Sequence, residues 1–278
     1  MAVALITGCS SGFGLLTALH FARAGHTVVA TVREPGAATA LRATNDEEDL
    51  GIHVVPLDVT DADSIERAVA GALEAHGVID VLVNNAGISL RGAVEDTSVA
   101  DARRVLETNV LGPLRMAQAV LPAMRVRRQG VIVNVSSVAG KVAQPFAGMY
   151  SASKFALEGL SEALHYEVRP FGVRVVIVEP GHFVTCLGDN RLVADRDGVS
   201  PYAELGRRWE AAAAGLPGRA QPGDPASVAA AIYEAATTPD HPLRRLVGAD
   251  AELIATLRRD LDDETFERTV RTALDFWD

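Results

Sequence analysis

The chain has 278 residues, 48% of them hydrophobic and 22% charged, which is enough apolar content for one large globular domain. Its formal net charge of −10 argues against nucleic acid or an anionic membrane surface as the main partner. The two cysteines, Cys9 and Cys186, have no partners at metal-ligand spacing, so neither a disulfide scaffold nor a metal site is expected, and a reducing cytoplasm fits.

The apolar start Ala2-Val-Ala-Leu-Ile6 is too short for a signal peptide or a membrane span and reads as a first strand. Further apolar runs near 27–32, 52–56, 79–83, 131–136 and 173–178 alternate with amphipathic stretches. That alternation predicts an α/β fold with a Rossmann-type, doubly wound parallel sheet of about seven strands, all within a single domain spanning residues 1–278. Asp61 and Ser98 stand where helices should start and can cap them. The basic cluster Arg125-Val-Arg-Arg128 reads as a helix end whose cations oppose the negative pole of the dipole.

After Pro180-Gly181 the regularity fails. Residues 182 to about 223 mix glycines, prolines and charges, and a long irregular insertion in a compact domain predicts a lid over a substrate, with Cys186 as a small inert residue at its hinge. A helix should follow Asp224-Pro225, then a short strand at Arg245-Leu-Val-Gly248, then a helical tail over about 250–278. In that tail Leu253, Leu257 and Leu261, and beyond them Phe266, Val270 and Leu274, form an apolar stripe for packing on the domain or on another subunit.

The first strand runs into Thr7-Gly8-Cys9-Ser10-Ser11-Gly12-Phe13-Gly14, and a helical pattern follows. Glycines at a strand-to-helix junction let the backbone approach a pyrophosphate, and the helix N-terminus offers free N–H groups. The second strand ends Val32-Arg33-Glu34, at the place where an acid would meet the ribose of NAD. Val32 stands there with Arg33 beside it, and a guanidinium can pair with a 2′-phosphate, helped by Ser10 and Ser11. NADP(H) is therefore favoured, with NAD(H) possible if Glu34 takes the position instead. Asp58-Val59 can meet the adenine edge, and Asn84-Asn85-Ala86-Gly87 sets small and amide residues beside the cofactor's path.

Tyr150-Ser-Ala-Ser-Lys154 lies thirteen residues beyond Ser137, which ends the run Val131-Ile-Val-Asn-Val-Ser-Ser137. On a helix, side chains four apart share a face, so phenol and ammonium can converge. A tyrosine pKa near ~10 would need about 4 kcal/mol of phenolate stabilisation to reach neutrality, and an ammonium and a cationic nicotinamide are the obvious sources. Such a set can move a proton to or from a carbonyl oxygen.

Taken in order, Thr-Gly-x-x-x-Gly-x-Gly, Asn-Asn-Ala-Gly, Asn109, Ser137, Tyr-x-x-x-Lys and Pro-Gly make the chain resemble the short-chain dehydrogenase/reductase family, closely over residues 1 to 185. The glycine segment and Ala-Thr-Val-Arg are similar to the NADP(H)-preferring branch that includes 17β-hydroxysteroid and retinol dehydrogenases. The resemblance implies that Tyr150 is the general acid or base and that Ser137 polarises the substrate oxygen. Thirteen residues before the tyrosine favours Ser137 over Ser136. It further implies that Lys154 lowers the phenol's pKa and holds the nicotinamide ribose, that Asn109 holds a water linking Lys154 to solvent, and that Thr185 contacts the nicotinamide amide or the diphosphate. Pro180, Gly181 and Phe183 belong to the same implied cofactor wall. The implied substrate is a small-molecule carbonyl or alcohol, and relatives commonly pair through the helices near Leu111 and Met149, which would make a homodimer or homotetramer. Gln144, Phe146, Met149, His182 and Phe183 line the expected substrate cavity and suit a medium-sized, largely apolar ligand. The competing reading is a non-catalytic dinucleotide-sensing regulator of the same fold, with an epimerase or dehydratase holding its cofactor tightly as a third.

Overall fold

The computed structural model describes residues 1–185, 191–194, 200–216 and 218–275. Its centre is a seven-stranded, all-parallel sheet of β1 (Val3–Ile6), β2 (Thr27–Val32), β3 (His53–Pro56), β4 (Val81–Asn84), β6 (Gly130–Val135), β7 (Val173–Pro180) and β9 (Arg244–Val247), in the order β3-β2-β1-β4-β6-β7-β9. The strands are apolar because both faces are covered, so successive side chains feed two different cores. Ala4, Ile6, Val133, Val135, Val176 and Val178 pack under α1 (Gly12–Arg23), α2 (Thr39–Glu48) and α8 (Pro225–Thr237). Val3, Leu5, Ile132, Val173 and Val175 pack on the opposite face, under α3 (Ala62–His76), α5 (Gly112–Arg127) and the end of α6 (Gly148–Val168).

The chain reverses direction across the sheet between β1 and β4, and this switch point opens a crevice at the strands' carboxyl ends. The expected caps form: Asp61 accepts from the Asp63 N–H, Ser98 from Asp101 and Asp224 from Ala226. In the basic cluster, Arg127 pairs with Asp80 at 2.5 Å, Arg125 lies over the Phe171 ring and Arg128 closes the helix in a left-handed conformation. These cations have protein partners besides the helix dipole.

Three elements were not expected. The two-residue strand β5 (Leu90–Arg91) pairs in parallel with β8 (Leu192–Val193) in a separate small sheet. Between α4 (Val99–Leu106) and α5 the helix widens into a π-turn at Glu107–Leu111. The stretch 182–223 also carries an ordered helix, α7 (Ala203–Ala214), so it is not irregular throughout. The buried Trp209 and Ala213 explain that helix, since they bind it to Leu274 and to the partly buried Val270 and Phe146. After β9, the tail forms α9 (Ala249–Asp260) and α10 (Asp263–Leu274). Its stripe splits, with Val270 and Leu274 packed on α7 while Leu253 stays exposed. Cys186 and residues 276–278 lie outside the described residues. No described helix is long and apolar enough to cross a membrane, and no group of three or more potential metal ligands occurs among the described residues.

Candidate active site

The glycine segment leaves β1 in a shape that only small residues permit. Gly8 and Gly12 have φ of +73° and +58°, the left-handed region that side chains disfavour. A Cβ on Gly8 would lie 2.9 Å from the Ala86 Cα, and one on Gly14 would run into the Gly8 carbonyl and the Asn85 amide. Asn85 braces the turn, donating from Nδ2 to the carbonyls of Thr7 (2.8 Å) and Gly8 (3.1 Å). The Thr7 hydroxyl in turn accepts from the N–H groups of Asn85 and Ala86, both at 3.0 Å. Ser11, before α1, makes no side-chain cap bond, and no acidic residue occupies the helix's first turn. Close backbone, uncapped N–H groups and no opposing carboxylate together make a cradle that fits a diphosphate. Cys9, which points into the core, is no part of it. Burial pushes its thiol up to about 12.

Segment 181–185 closes over this loop. Phe183 meets Phe13 edge to face, with ring centroids 5.7 Å apart, and Thr185 stands opposite Gly12. Arg33 follows the last residue of β2, is exposed, and makes no ion pair among the described residues. Asp58 uses its carboxylate to accept from the N–H and hydroxyl of Thr60 at 2.9 and 2.8 Å, fixing the turn after β3, and Val59 packs against Gly112.

Across the crevice, β6 ends in Ser136-Ser137. Strand alternation turns the two hydroxyls apart. Ser136 Oγ faces Gly140 and finds no hydrogen-bond partner among the described residues, whereas Ser137 Oγ donates to the Pro180 carbonyl at 3.4 Å and bonds the Tyr150 phenol. Burial raises the phenol above its usual pKa and the Ser137 bond opposes the rise, so Tyr150 stands protonated at neutral pH. Tyr150, Lys154 and Glu158 occupy one face of α6 at intervals of four. The Lys154 ammonium, 5.7 Å from the centre of the Tyr150 ring, donates to the Val135 carbonyl at 2.9 Å. Burial holds it down at about 8, against an opposing pull from Glu158.

Asn109 sits in the π-turn. Its Oδ1 accepts from the Ile88 N–H at 2.9 Å, and its Nδ2 donates to the Ile88 carbonyl at 2.9 Å and to Ser153 Oγ at 3.0 Å. It therefore ties α4, the loop after β4 and α6 together directly behind the Tyr150 turn, whose carbonyl accepts from Ser153 at 2.7 Å.

The proposed cavity residues divide. Met149 joins a small cluster with Leu90, Val105 and Leu192, and Phe146 packs with α7 and α10 in a left-handed backbone conformation, φ +58°. Phe183 is buried on the glycine loop. Gln144 stays half-buried and His182 exposed. The His182 N–H donates to the buried Asp250 carboxylate at 2.6 Å. The imidazole's pKa is lowered, first by the partial covering of the ring and then by Arg219.

Sequence reading missed the charges beneath Lys154. Glu179, 1% exposed on β7, and Glu158 share Lys141 (3.1 and 3.7 Å) and Arg244 (3.6 and 3.1 Å). Burial and Glu158 raise the Glu179 carboxyl to about 7. Four separate segments contribute to this cluster, α6, β7, β9 and the turn that ends at Lys141, and no local spacing announces it.

Residues 2–194 match the short chain dehydrogenase family. The chain belongs to the short-chain dehydrogenase/reductase family. The 3-ketodihydrosphingosine reductase of Bacteroides thetaiotaomicron is 41% identical over 204 residues, 73% of this chain and 72% of that protein. A short-chain dehydrogenase from Streptomyces avermitilis is 39% identical with a TM-score of 0.81, over 99% of this chain and 95% of its own. A family member from Burkholderia phymatum, solved with NAD, is 28% identical with a TM-score of 0.80, over 96% of this chain and 95% of that one. A metagenomic oxidoreductase solved with NADP is 27% identical with a TM-score of 0.69, over 88% of this chain and 96% of that one. The chain is thus an oxidoreductase of this family by sequence and by fold.

Proposed function

We propose that this oxidoreductase uses NADP(H) to interconvert a carbonyl and a secondary alcohol, with Tyr150 as general acid and base. The observation that carries the reading is the convergence of Tyr150, Ser137 and Lys154 at the carboxyl end of β6, across the crevice from the glycine cradle. The family's dinucleotide, when bound, supplies or takes the hydride. The protein's own residues do the rest. Ser137, whose bond to the Pro180 carbonyl is long at 3.4 Å, can turn its hydroxyl to the substrate oxygen beside the protonated Tyr150 phenol, and the oxygen gains its proton from Tyr150 as negative charge develops there. The Lys154 ammonium, 5.7 Å from the centre of the phenol ring, stabilises the phenolate that remains. Asn109 and Ser153 keep the α6 turn fixed so that the phenol does not drift.

Gly8, Ser10, Ser11, Gly12, Phe13 and Gly14 would hold the diphosphate, with Thr185 opposite, and Asn85 would keep that loop in shape. Asp58, Val59, Ala86, Gly87, Pro180, Gly181 and Phe183 would complete the wall. Arg33 beyond Val32 favours NADP(H), since an exposed guanidinium without an ion-pair partner can meet a 2′-phosphate. The name of the Bacteroides relative, a reductase of a keto compound, supports the carbonyl-reducing direction. The segment after Gly181 would act as the lid. Phe155 and Tyr166 leave apolar surface exposed on α6, and Leu111 does so just before α5, which supports a homo-oligomer formed through these helices.

The test follows NADPH and NADH absorbance over a panel of aldehydes, ketones, steroids and retinal. Turnover that prefers NADPH and falls about 10³-fold in Tyr150→Phe, with cofactor affinity kept, is the expected result. Full turnover in the variant would sink the assignment of Tyr150. Cofactor binding without consumption of any substrate would favour the sensor.

A further inference from the structure

Two guanidiniums converge on one carboxylate at the rim of this cleft. Arg91 Nη2 lies 2.8 Å from Glu210 Oε1, and Arg219 Nη1 lies 2.9 Å from Glu210 Oε2. The arginine side chains are mostly covered, at 21% and 15% exposure, while that of Glu210 is half open at 52%. Leu90 is buried among Val105, Ile88 and Leu192, so strand alternation sends its neighbour Arg91 the other way, toward α7.

Two links run from the cluster to the segments that carry Tyr150 and Ser137's acceptor. The Gly92 N–H donates to the Phe146 carbonyl at 2.9 Å, four residues before Tyr150. His182, two residues past the Pro180 carbonyl that accepts from Ser137, lies within the fields of Arg91, Arg219 and Glu210.

Among the described residues the charges at this cluster do not balance. Each guanidinium spends one nitrogen on Glu210 and keeps further N–H donors. Each Glu210 oxygen already faces a guanidinium, so an ammonium brought to this carboxylate would stand beside two cations. Asp250, a nearby acid among the described residues, is buried against glycines 181, 218 and 248 and already accepts from His182. Arg191 adds a third positive charge to the field at Arg91. Burial comes first in lowering the Arg91 pKa, Glu210 opposes it, and Arg219 and Arg191 lower it further, so among the described residues two other cations and one anion act on this guanidinium.

We propose that Arg91 and Arg219 form a distal substrate subsite for an anionic group, a carboxylate or a phosphate monoester, and that the Glu210 carboxylate holds the place that group takes. A guanidinium pair offers a carboxylate or phosphate oxygen charge-assisted bonds from both sides. The substrate would then be amphipathic, its carbonyl at Tyr150 and Ser137 and its anion at the far end. This assignment rests on the oxidoreductase reading above and adds the chemistry of the substrate's other end.

The test is calorimetric titration of the full chain with octanoate, octyl phosphate and octanol, before and after saturation with NADPH. Octanoate or octyl phosphate should bind the wild type at least about tenfold more tightly than octanol, since each tenfold step needs only about 1.4 kcal/mol. The tighter of the two identifies the anion. Arg91→Gln and Arg219→Gln should erase that preference, Arg91→Lys should retain part of it, and Glu210→Gln, which removes the competing carboxylate, should strengthen it severalfold. Equal binding of all three probes, no measurable binding of either anion, or a preference unchanged in both glutamine variants would overturn the subsite. The NADPH titration fails or succeeds separately, so loss of the cofactor reading is visible as a distinct result.

Discussion

The chain up to Pro180 and the chain beyond Gly181 are held by different kinds of interaction. In the first, parallel ladders fix each strand in register, as in the six consecutive pairs from Gly130 with Val173 to Val135 with Val178. Candidate site residues such as Ser137 then stand at strand ends whose positions the ladder dictates. In the second, apart from α8 and β9, which join the main core, the structure depends on a small cluster around Trp209, on ion pairs through Glu210, and on a two-residue strand pair. Chemistry common to a family can rest on the first kind of support. The second can change its side chains without disturbing the sheet, which suits it to choosing substrates.

Cutting the Trp209 cluster should give the largest effect and the clearest separation. Replacing a buried aromatic by alanine usually costs about 3–5 kcal/mol. In Trp209→Ala that loss should fall on 200–216 and 263–274, read as faster amide exchange there, while NADPH affinity stays near the wild-type value. Gly14→Ala is the counterpart. Its Cβ collides with the Gly8 carbonyl and the Asn85 amide, so overpacking of about 1–3 kcal/mol should appear as weakened NADPH binding with exchange in α7 and α10 unchanged. Parallel losses in both variants would mean that the two regions form one cooperative unit.

Lys154 tests the price of chemistry within the first region. Its amine titrates at about 8 in the fold against an ordinary value of 10.5, so between those values the unfolded chain binds more protons and stability rises with pH. The destabilisation is present in full below about pH 8 and disappears above about 10.5. Lys154→Met should therefore be more stable than the wild type at pH 7, by up to about 3 kcal/mol, and equal to it near pH 10.5, while turnover is lost. Chemical denaturation at the two pH values checks this. A gain that is the same at both would show that packing, not charge, is responsible.

What the sequence made legible follows the same division. Gly8, Gly12, Gly14, Ser137, Tyr150 and Lys154 announce themselves because their spacing is local to one turn, strand end or helix face. The sheet was legible because strands buried on both faces read as unbroken apolar runs. Pairing of Leu90 with Leu192, by contrast, joins two-residue strands a hundred residues apart, too short to leave a periodic signal. Asn85, at a strand's carboxyl end, reads as a residue of mixed structural and cofactor role, and its bonds to the Thr7 and Gly8 carbonyls show the structural half, the bracing of the loop. Glu210 resembles any exposed helix acid until Arg91 and Arg219 are brought to it. The alanine run around it supplies helix propensity but no clue to what that acid meets.

The smallest expected effect belongs to Arg33, because it is exposed and its field is screened. A charge-assisted bond to a 2′-phosphate contributes about 1.5–3 kcal/mol in a favourable setting, and exposure places this one at the lower end. Arg33→Ala should weaken NADPH binding about tenfold and leave NADH binding nearly unchanged, and added salt should narrow the wild-type difference between the two cofactors. Equal losses for both would place Arg33 on the shared part of the dinucleotide. No loss for either would move cofactor choice to Ser10, Ser11 and Glu34, where a carboxylate one residue along could meet the ribose hydroxyls of NADH instead.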